Sequence, residues 1–120
     1  ERVKIGNSVE SIGEYVFSGC SGLKSVTIPS SVKVIEGHAF QKTGLTSVII
    51  PEGTKSVGQY AFDYCQDLSS VTLSSTVGII HHCAFYGCYS LQSITIPSAV
   101  SYIGGDAFYC RSLTDVYLQS

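Results

Sequence analysis

The feature that most constrains this chain is an internal repeat of 22 or 23 residues. Five leucines head successive copies, namely Leu23, Leu45, Leu68, Leu91 and Leu113, and the gaps between them are 22, 23, 23 and 22 residues. In the copy that begins at Leu68, the positions that recur in other copies are Val71, Leu73, Val77, Ile80, Ala84, Phe85 and Cys88. An N-terminal copy repeats the pattern without its leucine. A fixed period of this length predicts a solenoid in which each copy forms one coil.

Each leucine is followed by a short stretch in which apolar and polar residues alternate, which is the periodicity of a β-strand. Stretches such as residues 26–28 and 94–96 are too short to be stable alone, so we expect them to pair with their counterparts in neighbouring coils. Pro29, Pro51 and Pro97 directly follow such stretches and end them, because Pro lacks the N–H that a strand ladder needs. Around each Ala-Phe pair we expect short 3-10 or irregular turns.

The predicted fold class is therefore an α/β-type repeat solenoid, a right-handed coil with one parallel sheet of short strands and little true helix. Gly13, Gly58 and Gly104 recur just after the second inward-facing aliphatic residue, which predicts a positive φ at that position. Glu36 and His81 replace glycine there in the other two coils, so we expect those coils to turn differently.

Charged residues are scarce in this chain, at 13% of the sequence, roughly half of the ~25% usual in soluble proteins. Because a thin solenoid has little interior, Ser, Thr and Gly must supply the polarity of its surface. The net charge of −2 gives no electrostatic reason to bind nucleic acid or an anionic membrane. No apolar run approaches the ~18 residues of a membrane span.

We predict one domain over residues 1–120, with coils at 1–22, 23–44, 45–67, 68–90 and 91–112 and a partial coil at 113–120. The chain starts and stops inside its own repeat pattern, so we expect it to be a piece of a longer repeat array. The outer coils of a parallel stack carry unpaired edges, which predicts end-to-end self-association between copies.

The complete pattern resembles the BspA-like leucine-rich repeats of bacterial and protist cell-surface proteins. Its motif, Leu-x-x-Ile-x-Ile-Pro-x-x-Val-x-x-Ile-Gly-x-x-Ala-Phe-x-x-Cys, covers essentially the whole chain and is most complete over residues 91–108. The resemblance implies a curved solenoid that is secreted or displayed on a cell surface, without shared catalytic residues. Coils two and five are one residue shorter after Ala-Phe, and coil two has Thr43 where Cys is usual.

Four of the five cysteines, Cys20, Cys65, Cys88 and Cys110, share one column beside the core leucine. This position predicts small, buried, apolar side chains. Stacking would bring the last three to about 5 Å between Cα atoms, inside the disulfide window. Their Cβ vectors would point the same way, which favours free thiols, although the sequence leaves the disulfide state of Cys65, Cys88 and Cys110 open.

The adjacent residues His81, His82 and Cys83 have the chemistry of metal ligands. Neighbouring side chains in an extended stretch point apart, so we predict no metal site. His38, Tyr60, Cys83 and Asp106 share another column. No G-x-S-x-G frame positions a nucleophile, and no phosphate-binding loop is visible. The sequence therefore predicts no catalytic residue, no cofactor and no enzyme.

The outward-facing residues of the strands form a hydroxyl-rich face. One of its columns comprises Lys4, Thr27, Ile49, Thr72, Thr95 and Tyr117. Ser and Thr keep the surface of a sheet hydrated and tolerate tight stacking of strands. The simpler interpretation is therefore a structural surface that binds no partner. The functional interpretation is a flat, uncharged surface for a protein or a glycan, with Ile49, Thr72, Thr95 and Tyr117 as contact residues.

A second candidate surface is aromatic. Tyr86 and Tyr109 follow the Phe of successive coils, Asp63 precedes them in the same column, and Tyr64 and Tyr89 lie close by in the turn. The four tyrosines predict an aromatic strip along one edge of the solenoid. Such rings either pack down to shield the core or form the centre of a binding interface, where aromatic residues are enriched.

We predict a non-catalytic binding module of a secreted or cell-surface protein that mediates adhesion. Its partner would be a protein, or alternatively a glycan, on host or neighbouring cells. The competing prediction is a passive structural spacer in a longer repeat array. An enzyme is disfavoured because no constellation of reactive groups appears.

Overall fold

The structure is a computed structural model that describes residues 2–119. It consists of short β-strands on two sides of a stack of coils, and none of the described residues is helical. The strands that follow the leucine position are β1 (Arg2–Lys4), β3 (Ser25–Thr27), β5 (Ser47–Ile50), β7 (Ser70–Leu73), β9 (Ser93–Ile96) and β11 (Asp115–Leu118). Those on the second side are β2 (Ser11–Ile12), β4 (Val34–Ile35), β6 (Ser56–Val57), β8 (Ile79–Ile80) and β10 (Tyr102–Ile103).

Every strand pair is parallel, and each residue pairs with its counterpart one coil away. On the first side β1 pairs with β3, β5 with β7 and β9 with β11. In β5 and β7, for example, Val48 lies opposite Val71 and Ile49 lies opposite Thr72. The predicted parallel repeat solenoid is confirmed, whereas the outer coil bounds predicted at residues 1 and 120 lie outside the described residues.

The second side is a continuous five-stranded parallel ladder in the order β10-β8-β6-β4-β2. The sequence pattern indicates one sheet only. Each of these strands has two residues, which is too short for alternation to be visible along the chain. Their pairing comes from the neighbouring coils, since Val34 lies opposite Ser56 and Ser56 lies opposite Ile79.

The core lies between the two sides and is dominated by a column of phenylalanines. Phe40, Phe62 and Phe85 are fully buried, and successive rings stack at 5.1 to 5.2 Å between centroids. The backbone of the turn is also bonded between coils, because the Phe62 N–H donates to the Ala84 carbonyl at 2.7 Å. This combination makes the turn side a rigid support for the residues that project from it.

The reason why glycine recurs at Gly58 and Gly104 differs from the one predicted. Among the glycines only Gly19, Gly53 and Gly87 have positive φ, so the prediction of positive φ at Gly13, Gly58 and Gly104 is wrong. A Cβ built on Gly58 would lie 2.6 Å from the backbone nitrogen of Gly37, and one on Gly104 would collide with the backbone of His82. These two glycines are required by close backbone packing.

The expectation that Glu36 and His81 make their coils turn differently is also wrong. The N–H of Glu36 donates to the Ile12 carbonyl at 2.9 Å, and that of His81 donates to the Val57 carbonyl at 3.0 Å. Gly58 makes the equivalent bond to Ile35 at 2.7 Å. The same bond between coils therefore sets the turn whether or not the residue is glycine.

The cysteines are all free thiols. Cys65, Cys88 and Cys110 are buried as predicted, and each Sγ lies 3.1 to 3.2 Å from the phenylalanine carbonyl of the preceding coil. Cys20 is exposed, contrary to the prediction, because no earlier coil is stacked on it within the described residues.

Candidate binding surfaces

The strand face has the predicted outward column. Thr72 and Thr95 are exposed, and so are the two large hydrophobic side chains of the column, Ile49 at 65% and Tyr117 at 57% of their maximal accessible area. The register places Ile49 beside Thr72 and Thr95 beside Tyr117. The result is a hydroxyl-rich surface with an exposed hydrophobic side chain at two of its positions.

The four tyrosines of the turn form a contiguous surface, which we call the tyrosine strip (Tyr64, Tyr86, Tyr89 and Tyr109). The rings of Tyr86 and Tyr109 stack at 5.0 Å with 18° between their planes. Tyr64 meets Tyr86 edge to face at 5.7 Å and Tyr89 at 6.2 Å. The guanidinium of Arg111 lies 4.2 Å from the centre of the Tyr89 ring. Tyr109 is exposed and the other three rings are half-buried, so the strip both covers the turn and faces solvent.

A glycine makes room for this arrangement. Tyr64 has a left-handed backbone with φ of 54°, and Gly87 has the equivalent conformation one coil later, with φ of 77°. A Cβ on Gly87 would lie 2.7 Å from Cδ1 of Tyr64. The Tyr64 ring therefore lies directly over Gly87, a contact that the sequence pattern does not reveal.

Beside the strip lies a cavity of about 400 Å³, lined by Tyr60, Asp63, Tyr64, Cys83, Tyr86 and Asp106. Asp63 is 4% exposed, and its Oδ2 accepts a hydrogen bond from Gln41 Nε2 at 2.9 Å. Its Oδ1 is buried and has no hydrogen-bond partner among residues 2–119. Burial raises the pKa of the Asp63 carboxyl, and the Gln41 hydrogen bond opposes that rise.

The walls of the cavity are phenols that stay protonated. The neighbouring Cys83 thiol is the main cause of the raised pKa of Tyr60, whereas burial is the main cause for Tyr64 and Tyr86. Because an ordinary tyrosine titrates near pH ~10, these three rings are uncharged at neutral pH. The cavity thus combines neutral aromatic walls with two carboxyl groups.

One column of the turn adopts a left-handed backbone without glycine, at Tyr15, His38, Tyr60, Cys83 and Asp106. The φ angles lie between 56° and 63°, a conformation that costs about 1–2 kcal/mol for most residues. His38 stacks between Tyr15 and Tyr60, with ring centroids at 4.5 and 4.9 Å. The sequence predicts that His38, Tyr60, Cys83 and Asp106 share a column, and the structure agrees. Their left-handed conformation could not be predicted from the residue types, since none of these residues is glycine.

A groove of about 740 Å³, which the sequence did not predict, lies at the turn of coil two. Lys24, Lys42, Thr43, Gly44 and Asp67 are among the residues that line it. A Cβ on Gly44 would collide with the Ser21 carbonyl, so the backbones of coils one and two approach closely at this point. The sequence feature found at this place is the length of coil two, which is one residue shorter after its Ala-Phe pair.

Residues 2–119 contain no group of three or more His, Cys, Asp and Glu side chains arranged to hold a metal ion. His81 and His82 are exposed and take different neighbours, Tyr102 at 6.4 Å and Tyr60 at 5.4 Å between ring centroids. In the same part of the chain there is no helix long and apolar enough to cross a membrane.

Comparison with protein families matches residues 1–113 to six copies of the BspA type leucine rich repeat region. Comparison with curated proteins finds no match. Among solved structures, a leucine rich repeat protein of T. pallidum is 32% identical, with a TM-score of 0.92 over 97% of this chain and 55% of its own length.

Two further structures are named for bacterial surfaces or antigens. A leucine rich cell surface protein of Faecalibacterium prausnitzii A2-165 is 34% identical, with a TM-score of 0.73 over 99% of this chain and 39% of its own. The pneumococcal vaccine antigen PcpA is 27% identical, with a TM-score of 0.83 over 96% of this chain and 29% of its own. The chain thus spans 29% to 55% of the length of these three proteins.

Proposed function

Because the chain belongs to the BspA-type leucine-rich repeat family, we propose that it is a non-catalytic adhesive segment of a secreted or cell-surface protein. Its partner is a protein on a host or neighbouring cell, and the tyrosine strip is the main contact surface. The observation that carries this proposal is the contiguity of the four rings on a rigid support. The names of two similar structures, a cell surface protein and a vaccine antigen, support display outside the cell.

The strip has the properties of an interface centre. Tyrosine buries a large apolar area and keeps a polar end, and it loses little conformational freedom on binding. Tyr86 is already held by Tyr109 at 5.0 Å and by Tyr64 at 5.7 Å, so a partner meets rings that are ordered in advance. Preorganised side chains lower the entropic cost of association.

The strand face is the second candidate contact surface, because Ile49 and Tyr117 are exposed on an otherwise hydroxyl-rich sheet. The competing function is a passive spacer, for which a solvated face with Thr72 and Thr95 is sufficient. A spacer has no specific ligand and tolerates substitution on both surfaces.

The test is binding of the purified chain to a panel of immobilised matrix proteins and glycans. The double variant Tyr86→Ala/Tyr109→Ala disrupts the strip, and Thr72→Lys/Thr95→Lys is the matched double variant on the strand face. We expect saturable binding that the strip variant weakens by about tenfold or more, the loss typical of interface hot spots. Circular dichroism melting curves should show that both variants remain folded.

Loss of binding only in the strand-face variant would move the contact surface to that face and contradict the role of the strip. Saturable binding to a glycan rather than a protein would correct the class of partner. A chain that binds nothing on the panel would favour the spacer.

A further inference from the structure

We infer that the cavity bounded by Tyr60, Asp63, Tyr64 and Tyr86 receives a positively charged side chain, lysine or arginine, from a protein partner. This inference rests on the proposed function, since Tyr64 and Tyr86 belong to both the cavity and the tyrosine strip. It adds to that function the chemistry of the anchoring residue.

Two carboxyl groups and no Lys or Arg line the cavity, within residues 2–119. The carboxyl groups belong to Asp63 and Asp106. Lys42 and His38 lie near enough to oppose the rise in the pKa of Asp63, but neither hydrogen bonds to its carboxyl. The cavity is therefore complementary to a cation brought from outside.

The two oxygens of the Asp63 carboxyl group differ, because Oδ2 accepts a hydrogen bond and Oδ1 has no partner among residues 2–119. Ser18 Oγ donates to Gln41 Oε1 at 3.1 Å, which turns the amide Nε2 of Gln41 toward Asp63 Oδ2 at 2.9 Å. Oδ1 is buried, and no group in the described part of the chain donates a hydrogen bond to it. A buried acceptor without a partner is unfavourable, and an ammonium or guanidinium donor would satisfy it with a charge-assisted bond.

The aromatic walls suit a cation as well. The planes of Tyr64 and Tyr86 lie 74° apart at 5.7 Å, so the edge of one ring meets the face of the other beside the carboxyl groups. A cation over a neutral aromatic face is attracted by the ring quadrupole. The strip already uses this attraction within the chain, where Arg111 lies 4.2 Å over Tyr89. Oδ1 is shielded in the free chain, so its pairing with an incoming donor requires movement of the side chains that cover it.

The test is an NMR titration of the full chain with Nα-acetyl-L-lysine methylamide. The norleucine analogue has the same apolar stem without the ammonium group and serves as the matched ligand. We expect saturable shifts of the amides of Asp63, Tyr64 and Cys83 with a Kd in the millimolar range, as for a single cationic anchor, and no comparable shifts with norleucine. Methyl β-D-galactopyranoside is the third probe.

Two variants separate the cavity from general charge effects. Asp63→Asn keeps the shape of the side chain and should weaken lysine binding about tenfold. Asp67→Asn removes the same charge from an exposed residue outside the cavity and should leave binding unchanged. Retained dispersion of the amide spectrum shows that each variant is folded.

Equal shifts with the lysine and norleucine probes, or equal binding by the two variants, would overturn the inference. So would shifts at the cavity with the galactoside alone, which would identify a glycan ligand. The proposed function would still stand if a protein of the panel bound to the chain and the Tyr86→Ala/Tyr109→Ala variant no longer bound that protein. Conversely, lysine binding without any panel partner would support the cavity and leave the strip without its proposed role.

Discussion

Thr43 Oγ1 lies 3.2 Å from Cys65 Sγ, and both side chains are buried in adjacent coils. Cys65 also lies 3.1 Å from the Phe40 carbonyl, a contact that Cys88 and Cys110 repeat in later coils. Thr43 thus occupies the cysteine position of coil two with another small side chain that can hydrogen bond. The departure from the repeat pattern keeps a buried polar contact in this column, made with Cys65 of the next coil.

Thr43→Val should lower the free energy of unfolding by about 0.5–1.5 kcal/mol, because valine has the same shape and removes only the buried hydroxyl. Urea denaturation measures the difference. A double-mutant cycle with Cys65→Ala tests its origin, since the two effects should be non-additive if they report the same contact. Strict additivity would show that the 3.2 Å contact contributes nothing.

Gly58→Ala should destabilise the chain by about 1–3 kcal/mol, the usual cost of forcing an extra methyl into a packed site. The added Cβ would lie 2.6 to 2.8 Å from backbone atoms of coil two, which cannot rotate away. Gly22→Ala is the control, because its Cβ would enter open space and its φ is not positive. Equal melting temperatures for the two variants would rule out close packing as the reason for Gly58.

Asp63→Asn should stabilise the chain at neutral pH. Burial raises the pKa of Asp63 in the folded state, so folding favours the protonated carboxyl. The stability contributed by Asp63 is then complete below the ordinary carboxyl pKa of ~3.9 and is lost as the pH rises through the folded pKa. Because asparagine does not titrate, we expect a gain in the free energy of unfolding near pH ~7 that disappears near pH ~3.

Urea denaturation across this pH range is the measurement, and Asp67→Asn, which removes the same charge from an exposed side chain, is the control variant. A gain for Asp63→Asn that is the same at acid and neutral pH would show that burial of the charge is not its cause.

Native thiols should react in the order of their exposure. Cys20 is exposed, whereas burial raises the pKa of the Cys65 thiol, and the Cys110 thiol together with burial raises that of Cys88. Since only the thiolate is alkylated, iodoacetamide should modify Cys20 about a hundredfold faster than Cys65 or Cys88. Peptide mass spectrometry gives the rates, and denaturant should equalise them. Rapid native labelling of Cys88 would contradict the packing of this column.

Much of the fold could be predicted because the same pattern of apolar and polar residues occurs in every coil. The spacing of Leu23, Leu45 and Leu68 predicts the coils, and the alternation at Val48 and Ile50 predicts which side chains enter the core. The aromatic strip followed from the same columns, because Tyr86 and Tyr109 occupy one position in successive coils. Each of these predictions needs only the period and the direction of one strand.

The errors arose where a property depends on the neighbouring coil. Gly58 indicates a glycine requirement, but its residue type cannot distinguish positive φ from backbone contact with Gly37. Cys20 belongs to the cysteine column and is nevertheless exposed, because burial of that column requires a preceding coil. The second ladder, with Ser56 between Val34 and Ile79, exists only through pairing between coils.

The sequence by itself determined the repeat, the parallel stacking and the identity of the buried columns, because a period repeated along one chain brings equivalent residues into register. Only the tertiary structure decided how side chains of adjacent coils meet. Within residues 2–119 it left Asp63 Oδ1 without a hydrogen-bond partner, laid the Tyr64 ring over Gly87 and formed a surface cavity next to two tyrosines of the strip, Tyr64 and Tyr86. These features depend on distances of a few ångströms between residues about one coil apart, and side-chain orientation at that scale is set by packing rather than by periodicity.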